Sequence, residues 1–267
     1  YNLDVGIVPG FFKWLGQMLT FQFGDSWLWT KPVTEVFNDS VWISFFMGLI
    51  AFVLEIIIAI PLGVIAATKQ YSKTDYVISV LALAGISLPT FFFASLLKLV
   101  FSGKLRWFDL YGLTGRSHQQ LSAFGKLMDM GHHLVLPIVT LVVISVDSLM
   151  RYTRTNMLEV LNADFIRTAR AKGLSERKVI YHHAFRNTLI PLVTIIGGSL
   201  PGLFSGALIT ETLYSIPGIG YISYQSMVGG DIPFSMFYLV FMAVLTLLGN
   251  LISDILYAVV DPRVRIA

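Results

Sequence analysis

The sequence predicts an all-α fold, a polytopic membrane helix bundle, on three observations. Hydrophobic residues make up 55% of the 267-residue chain and charged residues only 13%, where a soluble domain carries about 25% charged residues. Five apolar stretches are each long enough to cross a bilayer as helix, which takes about 20 residues. The basic residues concentrate in alternate loops between those stretches. Cysteine is absent, which excludes a disulfide framework, a thiolate metal site and a cysteine nucleophile. A net charge of +3 is too small to argue for a nucleic-acid partner.

Residues 1–39 read as an external segment. Within it, 8–29 is aromatic-rich but interrupted by Lys13, Gln17, Gln22 and Asp25. It fits an interfacial helix with Trp14, Trp27 and Trp29 at headgroup level, or alternatively a packed external cap. Residues 40–267 read as a transmembrane domain, with spans at 40–67, 76–101, 133–155, 189–212 and 234–259. Pro61, Pro89, Pro137 and Pro201 lie inside or near the ends of these spans, where bilayer helices tolerate proline as a kink.

Charge orients the bundle. Lys69 and Lys73 lie in one loop. Arg151, Arg154, Arg167, Arg170, Lys172, Arg177, Lys178 and Arg186 lie in another, and Arg263 and Arg265 in the tail. Together these are twelve of the nineteen basic residues. The positive-inside rule puts those loops and the C-terminus in the cytoplasm. Loops 102–132 and 213–233 then face outside, as does the N-terminus. The chain opens at Tyr1, and the odd number of spans leads us to expect that a first span is missing from it.

Glu55, Lys98, Asp147, Glu211 and Asp254 fall within or near the ends of apolar runs. Each costs roughly 2.5–3.5 kcal/mol or more at the bilayer centre, so such groups face a bundle interior or a water-filled path. Glu55, Asp147 and Glu211 are the candidates for lining a translocation path; the other reading makes them contacts between helices. Asp147 is spaced to pair with Arg151. Lys98 is placed to snorkel, and Asp254 to bond a neighbouring helix. No array of intramembrane carboxylates and histidines marks a proton relay.

Residues 164–186, DFIRTARAKGLSERKVIYHHAFR, are basic and helix-forming between apolar runs. Asn162 or Asp164 is placed to cap a helix running to about Lys172. Gly173 suits the left-handed position that ends it. Ser175 then caps a second helix with Glu176 in its first turn. Leu174, Val179 and Ile180 form an apolar patch beside Arg170, Lys172, Arg177 and Lys178. The spacing also fits a DNA-binding helix-turn-helix, but the loop is tethered at both ends to membrane spans and lacks a third helix. A loop that only sets topology is the bland reading. The stronger one is a docking element that passes a soluble partner's movement to the spans.

Here the chain resembles a known family. Arg167-Thr168-Ala169-Arg170-Ala171-Lys172-Gly173, followed by Leu174-Ser175, is similar to the EAA loop of ABC importer permeases, closest to the dipeptide and oligopeptide (peptide/nickel) branch. TETLYSIPGIG at 210–220 and SDILYAVVDPRVRI at 253–266 agree. Arg167 stands where the name-giving glutamate would be, and Arg186 where a later proline would be; both departures look typical of the peptide branch. The external N-terminal segment resembles that of the B-type subunit.

The resemblance implies a type I importer permease in a bacterial or archaeal cytoplasmic membrane. It implies pairing with a second, homologous permease, two cytoplasmic ATPase subunits that bind ATP and Mg, and an extracytoplasmic substrate-binding protein. Loop 156–188 would carry the coupling helix. Ala169 and Gly173 would allow close packing and the turn, Leu174 with Ser175 would enter the ATPase groove, and Glu176 and Arg177 would make polar contacts around it. No G-x-x-x-x-G-K-[ST] phosphate loop is present, so neither catalysis nor a cofactor or metal is expected in this chain. Peptide is the expected solute. Alternatives are nickel or another small solute, or a carrier that works without an ATPase.

Overall fold

The computed structural model describes residues 6–260. Among them every extended element is helical, and the β pairing is limited to an isolated bridge between Asp25 and Pro32. The expectations for the tail, with Arg263 and Arg265, lie outside the described residues.

The first helix, α1 (Ile7–Leu19), is exposed along its length. It stops ten residues short of the expected 29. Residues 20–32 instead form a packed turn clasped by buried Asp231. The Asp231 carboxylate accepts from the Ser26 hydroxyl and from the backbone N–H groups of Trp27 (3.2 Å) and Leu28 (3.3 Å). Trp29 Nε1 donates to Ser226 Oγ at 3.0 Å. The segment thus divides into an exposed helix and a turn fastened to Asp231.

Helix α2 (Val33–Thr68) starts earlier than the sequence predicts, directly after Pro32, with Glu35 in its first turn. It crosses α5 (Ala123–Leu161) at Gly63. A Cβ on Gly63 would stand 2.6 Å from Thr153 Cβ and 2.7 Å from the Met150 carbonyl oxygen, so the glycine sets how closely the two backbones approach. Helix α3 (Lys73–Ser87) is capped by Ser72, whose Oγ accepts from Asp75 N at 3.2 Å. Buried Asp75 takes a two-pronged bond from Arg154 of α5, at 3.0 and 2.9 Å, and so ties α3 to α5.

The expected span over 76–101 forms as two helices sharply bent at Pro89. Pro89 forces Leu88 into an extended conformation (ψ 127°), and α4 (Thr90–Leu97), continued by a wider π-type turn to Lys104, leaves at 101° to α3. The expected span over 189–212 is also redrawn. A short helix α6 (Asp164–Ala171), the turn at Gly173 and α7 (Glu176–Lys178) lead through another wide turn into α8 (Phe185–Ser199). This run bends by 48° around Pro191 and ends as a tight 3₁₀ turn at Leu200–Phe204. Gly206, at φ +78°, then reverses the chain against Gly220, where a Cβ would lie 2.3 Å from Gly220 N. Residues 208–214 form a separate short helix, α9 (Leu208–Tyr214), followed by α10 (Ile219–Val228) and α11 (Ile232–Val260).

Helices α2, α5 and α11 are each long and apolar enough to cross a membrane, and each bent pair adds one span if counted whole. The chain buries only 6% of the most apolar stretch of α11, leaving that face to lipid or another chain. Helix α2 shows a row of exposed Trp42, Phe46, Ile50, Val53 and Ile57.

A methyl at Gly63 tests the α2–α5 crossing. Gly→Ala inside a helix ordinarily gains about 0.5–1 kcal/mol. Gly63→Ala should instead cost about 1–3 kcal/mol through overpacking, seen as a lower melting temperature in detergent. Gly16→Ala, whose Cβ meets nothing within 4 Å, should not fall; equal shifts in the two variants would refute the close approach.

Candidate functional site

The turn at Gly173 is built on a packed base. Helix α6 begins after Ala163, and neither Asn162 nor Asp164 caps it. Asn162 Nδ2 instead donates to Leu158 O at 2.9 Å, while Asp164 is already the first helical residue, where its charge suits the helix dipole. Gly173 takes φ +74° as its composition predicts, and its N–H donates to Arg170 O at 2.9 Å. Ser175 stands at the cap position of α7, but its side chain makes no capping bond. Arg170 closes the turn instead, donating to both carboxylate oxygens of Glu176 at 3.2 and 2.7 Å. Those bonds hold the Glu176 carboxyl below its ordinary range and raise the Arg170 guanidinium above its own.

Ala169 is buried beside Ile166, Met157 and Val179, as close packing requires. Leu174 also turns inward: it is half-buried and packs on the same cluster, which includes Val64 and Ala67 at the end of α2. Leu174, expected to enter a partner's groove, is thus half-covered by its own chain and keeps the rest of its apolar surface open at the turn. Glu176 is engaged by Arg170. Gly173, Ser175 and Arg177 are exposed, with no atom within 4 Å of a Cβ at Gly173. Two exposed aromatic residues flank the turn, Phe165 (46%) and Tyr181 (57%). Sequence reading passed over them, although Phe165 is out of phase with the buried Ile166 and Ala169.

The three candidate path carboxylates have different surroundings. Glu55 is half-buried on α2 and borders two cavities. One, of about 210 Å³, lies between α2, α5 and residues 202–207, and is walled by Met47, Ala51, Leu141, Ser145 and Leu203. The other, of about 300 Å³, lies between α2, α5 and α8, and is walled by Phe52, Ser148, Tyr152, Ile195 and Ser199. Both are apolar with a few hydroxyl groups.

Asp147 and Glu211 border neither cavity. Asp147 is buried, on the α5 face that meets α3 at Gly85 through Val143 and holds Asp75 through Arg154. Arg151 Nη2 approaches its Oδ2 to 2.6 Å. That contact compensates the charge but is not aligned as a hydrogen bond, and among the described residues neither oxygen has a hydrogen-bond partner. Glu211 is wholly buried and wholly satisfied. Its Oε1 accepts from Ser44 Oγ (2.6 Å) and Ala207 N (2.9 Å), and its Oε2 from Tyr221 N (2.8 Å). Ser44 Oγ in turn accepts from Ile219 N at 2.8 Å. Both carboxylates are compensated within the bundle, Glu211 by hydrogen bonds and Asp147 by the charge of Arg151, as a low-dielectric interior demands. Lys98 does not snorkel: its ammonium donates to Leu213 O at the end of α9 and lies 3.7 Å from the centre of the Tyr111 ring. Asp254 is exposed on α11.

Comparison with known proteins places this geometry. The family described as "Binding-protein-dependent transport system inner membrane component" matches residues 59–266. The oligopeptide transport system permease protein AppB of Bacillus subtilis is 40% identical over 266 residues, covering 99% of this chain and 83% of that protein. OppB of Salmonella typhimurium, also an oligopeptide transport system permease protein, is 36% identical over the same shares. Among solved structures, the inward-facing MetNI methionine ABC transporter matches with a TM-score of 0.66 at 18% identity, covering 86% of this chain and 98% of that one. That likeness is one of fold.

The contrast between the carboxylates is measurable. Glu211→Gln must turn an amide N–H₂ toward a backbone or hydroxyl donor and should cost about 1–3 kcal/mol of stability. Glu55→Gln faces cavity space and should stay within about 0.5 kcal/mol. Thermal unfolding of the two purified variants decides the matter, and the reverse ranking would overturn the assignment.

Proposed function

The chain belongs to the binding-protein-dependent transport system inner membrane component family, and from that premise we propose how this ABC importer permease subunit takes up its drive and what it carries. It is a multi-pass inner-membrane protein that works with ATPase and substrate-binding partners. We assign docking on the ATPase to the Gly173 turn, with Phe165, Lys172, Arg177 and Tyr181 as the contacting side chains. Leu174 and the Arg170–Glu176 bridge stiffen the turn from within.

The single observation that carries this reading is the continuity of the chain from the turn to the cavity. The helical run that begins at Glu176 becomes α8, whose Ile195 and Ser199 wall the cavity beside Glu55. Displacement of the turn therefore moves a cavity wall, and the anchoring by Val64, Ala67 and Met157 moves α2 and α5 with it. ATP and Mg belong to the ATPase partners, and we assign this chain no catalytic residue.

Peptide is the proposed solute. Oligopeptide permeases share 30–40% identity across nearly the whole chain. The cavity walls also suit a variable ligand: mainly apolar surface, scattered hydroxyls and a single carboxylate. In this reading Glu55 lines the path and offers one anionic point to a peptide's cationic end. The exposed faces of α2 and α11 meet lipid and a second, different permease, so that two unlike halves enclose the path. The basic end of the bundle and the C-terminus lie in the cytoplasm, and the end carrying loops 102–122 and 213–231 receives solute from an extracytoplasmic binding protein.

Two substitutions in the assembled importer test the turn. Gly173→Trp places a ring in open space at a strained φ. It should insert normally yet lose about tenfold or more of ATP-driven uptake in proteoliposomes. Unchanged uptake and unchanged ATPase stimulation would end the docking role. Arg170→Glu should weaken coupling, and the double exchange Arg170→Glu with Glu176→Arg should restore most of it; failure of rescue would show that the bridge does not stiffen the turn.

A further inference from the structure

A cluster at the opposite end of α5 from the Gly173 turn has no part in the coupling scheme. His132 and His133 lie in the first turns of α5, and Asp109 comes from the preceding loop. His133 is almost fully enclosed, with 3% of its side chain exposed; His132 (47%) and Asp109 (56%) open toward solvent.

The hydrogen bonds fix both tautomers. His133 Nδ1 lies 2.8 Å from the carbonyl oxygen of Asp129. A carbonyl only accepts, so that nitrogen carries the proton and Nε2 of the neutral ring is bare. His132 Nε2 lies 3.0 Å from the Trp107 carbonyl oxygen, which leaves Nδ1 bare by the same argument. Both bare nitrogens face one atom, Asp109 Oδ2, at 3.3 Å for His133 and 3.6 Å for His132. With both rings neutral, three electron-pair donors thus converge, and a cation satisfies all three.

We propose that Asp109, His132 and His133 bind a divalent transition-metal ion of the zinc class. Zinc holds imidazole nitrogen and carboxylate oxygen at about 2.0–2.1 Å, which makes the edge of a tetrahedral ligand set about 3.3 Å. The His133 separation of 3.3 Å matches that edge, and the His132 separation of 3.6 Å is slightly longer. All three ligand atoms lie within 4.8 Å of one another, and a small rotation of the exposed His132 ring closes the remaining gap. Each histidine is already oriented through its other nitrogen by a backbone carbonyl, the supporting arrangement metal-binding histidines use. Imidazole ligands select zinc, cobalt, nickel or copper over magnesium and calcium.

The Asp129 carboxylate does not compete for the ion. It accepts from Gly115 N at 2.9 Å and pairs with His118 Nδ1 at 2.6 Å, fixing the neighbouring loop on α5. The open side of Asp109 and His132 leaves a fourth position for water or a ligand from outside the chain. The ion ties the loop bearing Asp109 to α5 about 40 Å from the Gly173 turn, at 1.5 Å per residue. The site stands whether or not that turn docks an ATPase.

The test uses the full chain in its assembled complex, purified on a histidine-free tag and stripped with a chelator. Titration with Co²⁺ should give the intense visible bands of tetrahedral coordination at one ion per chain, bleached by an equal amount of Zn²⁺. His132→Ala and Asp109→Asn, both at exposed positions, should fold normally and weaken binding by about 10–100-fold or more. His182→Ala with His183→Ala, at the other end of the bundle, should leave binding unchanged. The proposal is overturned if no tetrahedral Co²⁺ spectrum appears, if both site variants bind as the parent does, or if binding is lost only with His182 and His183.

Discussion

The carboxylate of Glu211 is the point on which one end of this bundle depends. An ionised group with no exposure survives only if its lone pairs are met. Here they are met by Ser44 of α2 and by backbone amides at Ala207 and Tyr221. The chain must therefore bring α2, the break after α8 and the start of α10 to one place. The neighbouring glycines follow from this. A Cβ on Gly218 would stand 2.4 Å from the Glu211 carboxyl carbon, and one on Gly220 would stand 3.0 Å from its Oε2. With the break held, α9 is fixed. Its last residue, Tyr214, donates to the Ala94 carbonyl of α4 at 3.2 Å, and the Leu213 carbonyl receives Lys98. The direction α4 takes after Pro89 is thus secured at its far side by a helix that Glu211 positions.

Much of the fold was legible because its signals are local. Apolar length marks α2, α5 and α11, and Gly173 between Lys172 and Leu174 announces its own left-handed turn. The failures come from contacts distant in sequence. Pro89 was visible as a kink, but the 101° bend is set by what α4 meets afterwards. Glu211 and Asp147 read as costly charges in apolar runs. Nothing in the sequence says that Glu211 meets backbone amides, or that Asp147 sits against α3. Leu174 at the tip of a turn reads as a projecting side chain, and the end of α2, more than a hundred residues earlier, supplies the half of its cover that the sequence does not announce. Asp231 looks like an ordinary loop residue until Ser26, Trp27 and Leu28 arrive from the other end of the chain.

Under the proposed function, the cavity and the turn divide the work of the molecule between soft and stiff parts. Around Glu55 the walls are apolar side chains and small hydroxyls, contributed by α2, α5 and α8 without a fixed polar lattice. Around Gly173 the backbone is held by a two-pronged ion pair and a packed base. A tolerant surface suits a solute of variable side chains, since few of its contacts demand directional partners. A rigid turn suits force transmission, since a compliant one would absorb displacement before it reached α8.

Helix α5 links these regions as one unbroken rod of 39 residues, Ala123–Leu161. At 1.5 Å per residue it is about 58 Å long, nearly twice the thickness of a hydrocarbon core of about 30 Å. Such a rod behaves as a lever pivoting where Gly63 of α2 crosses it at Met150 and Thr153. A rocking of about 10° about that point carries His132 and His133, about 28 Å away along the helix, through about 5 Å. Under the proposed coupling, a push beside Met157 reappears, with reversed sign, at His132 and His133. The loop packed there swings with them, so a small angular stroke at one end of the bundle becomes a lateral stroke at the other.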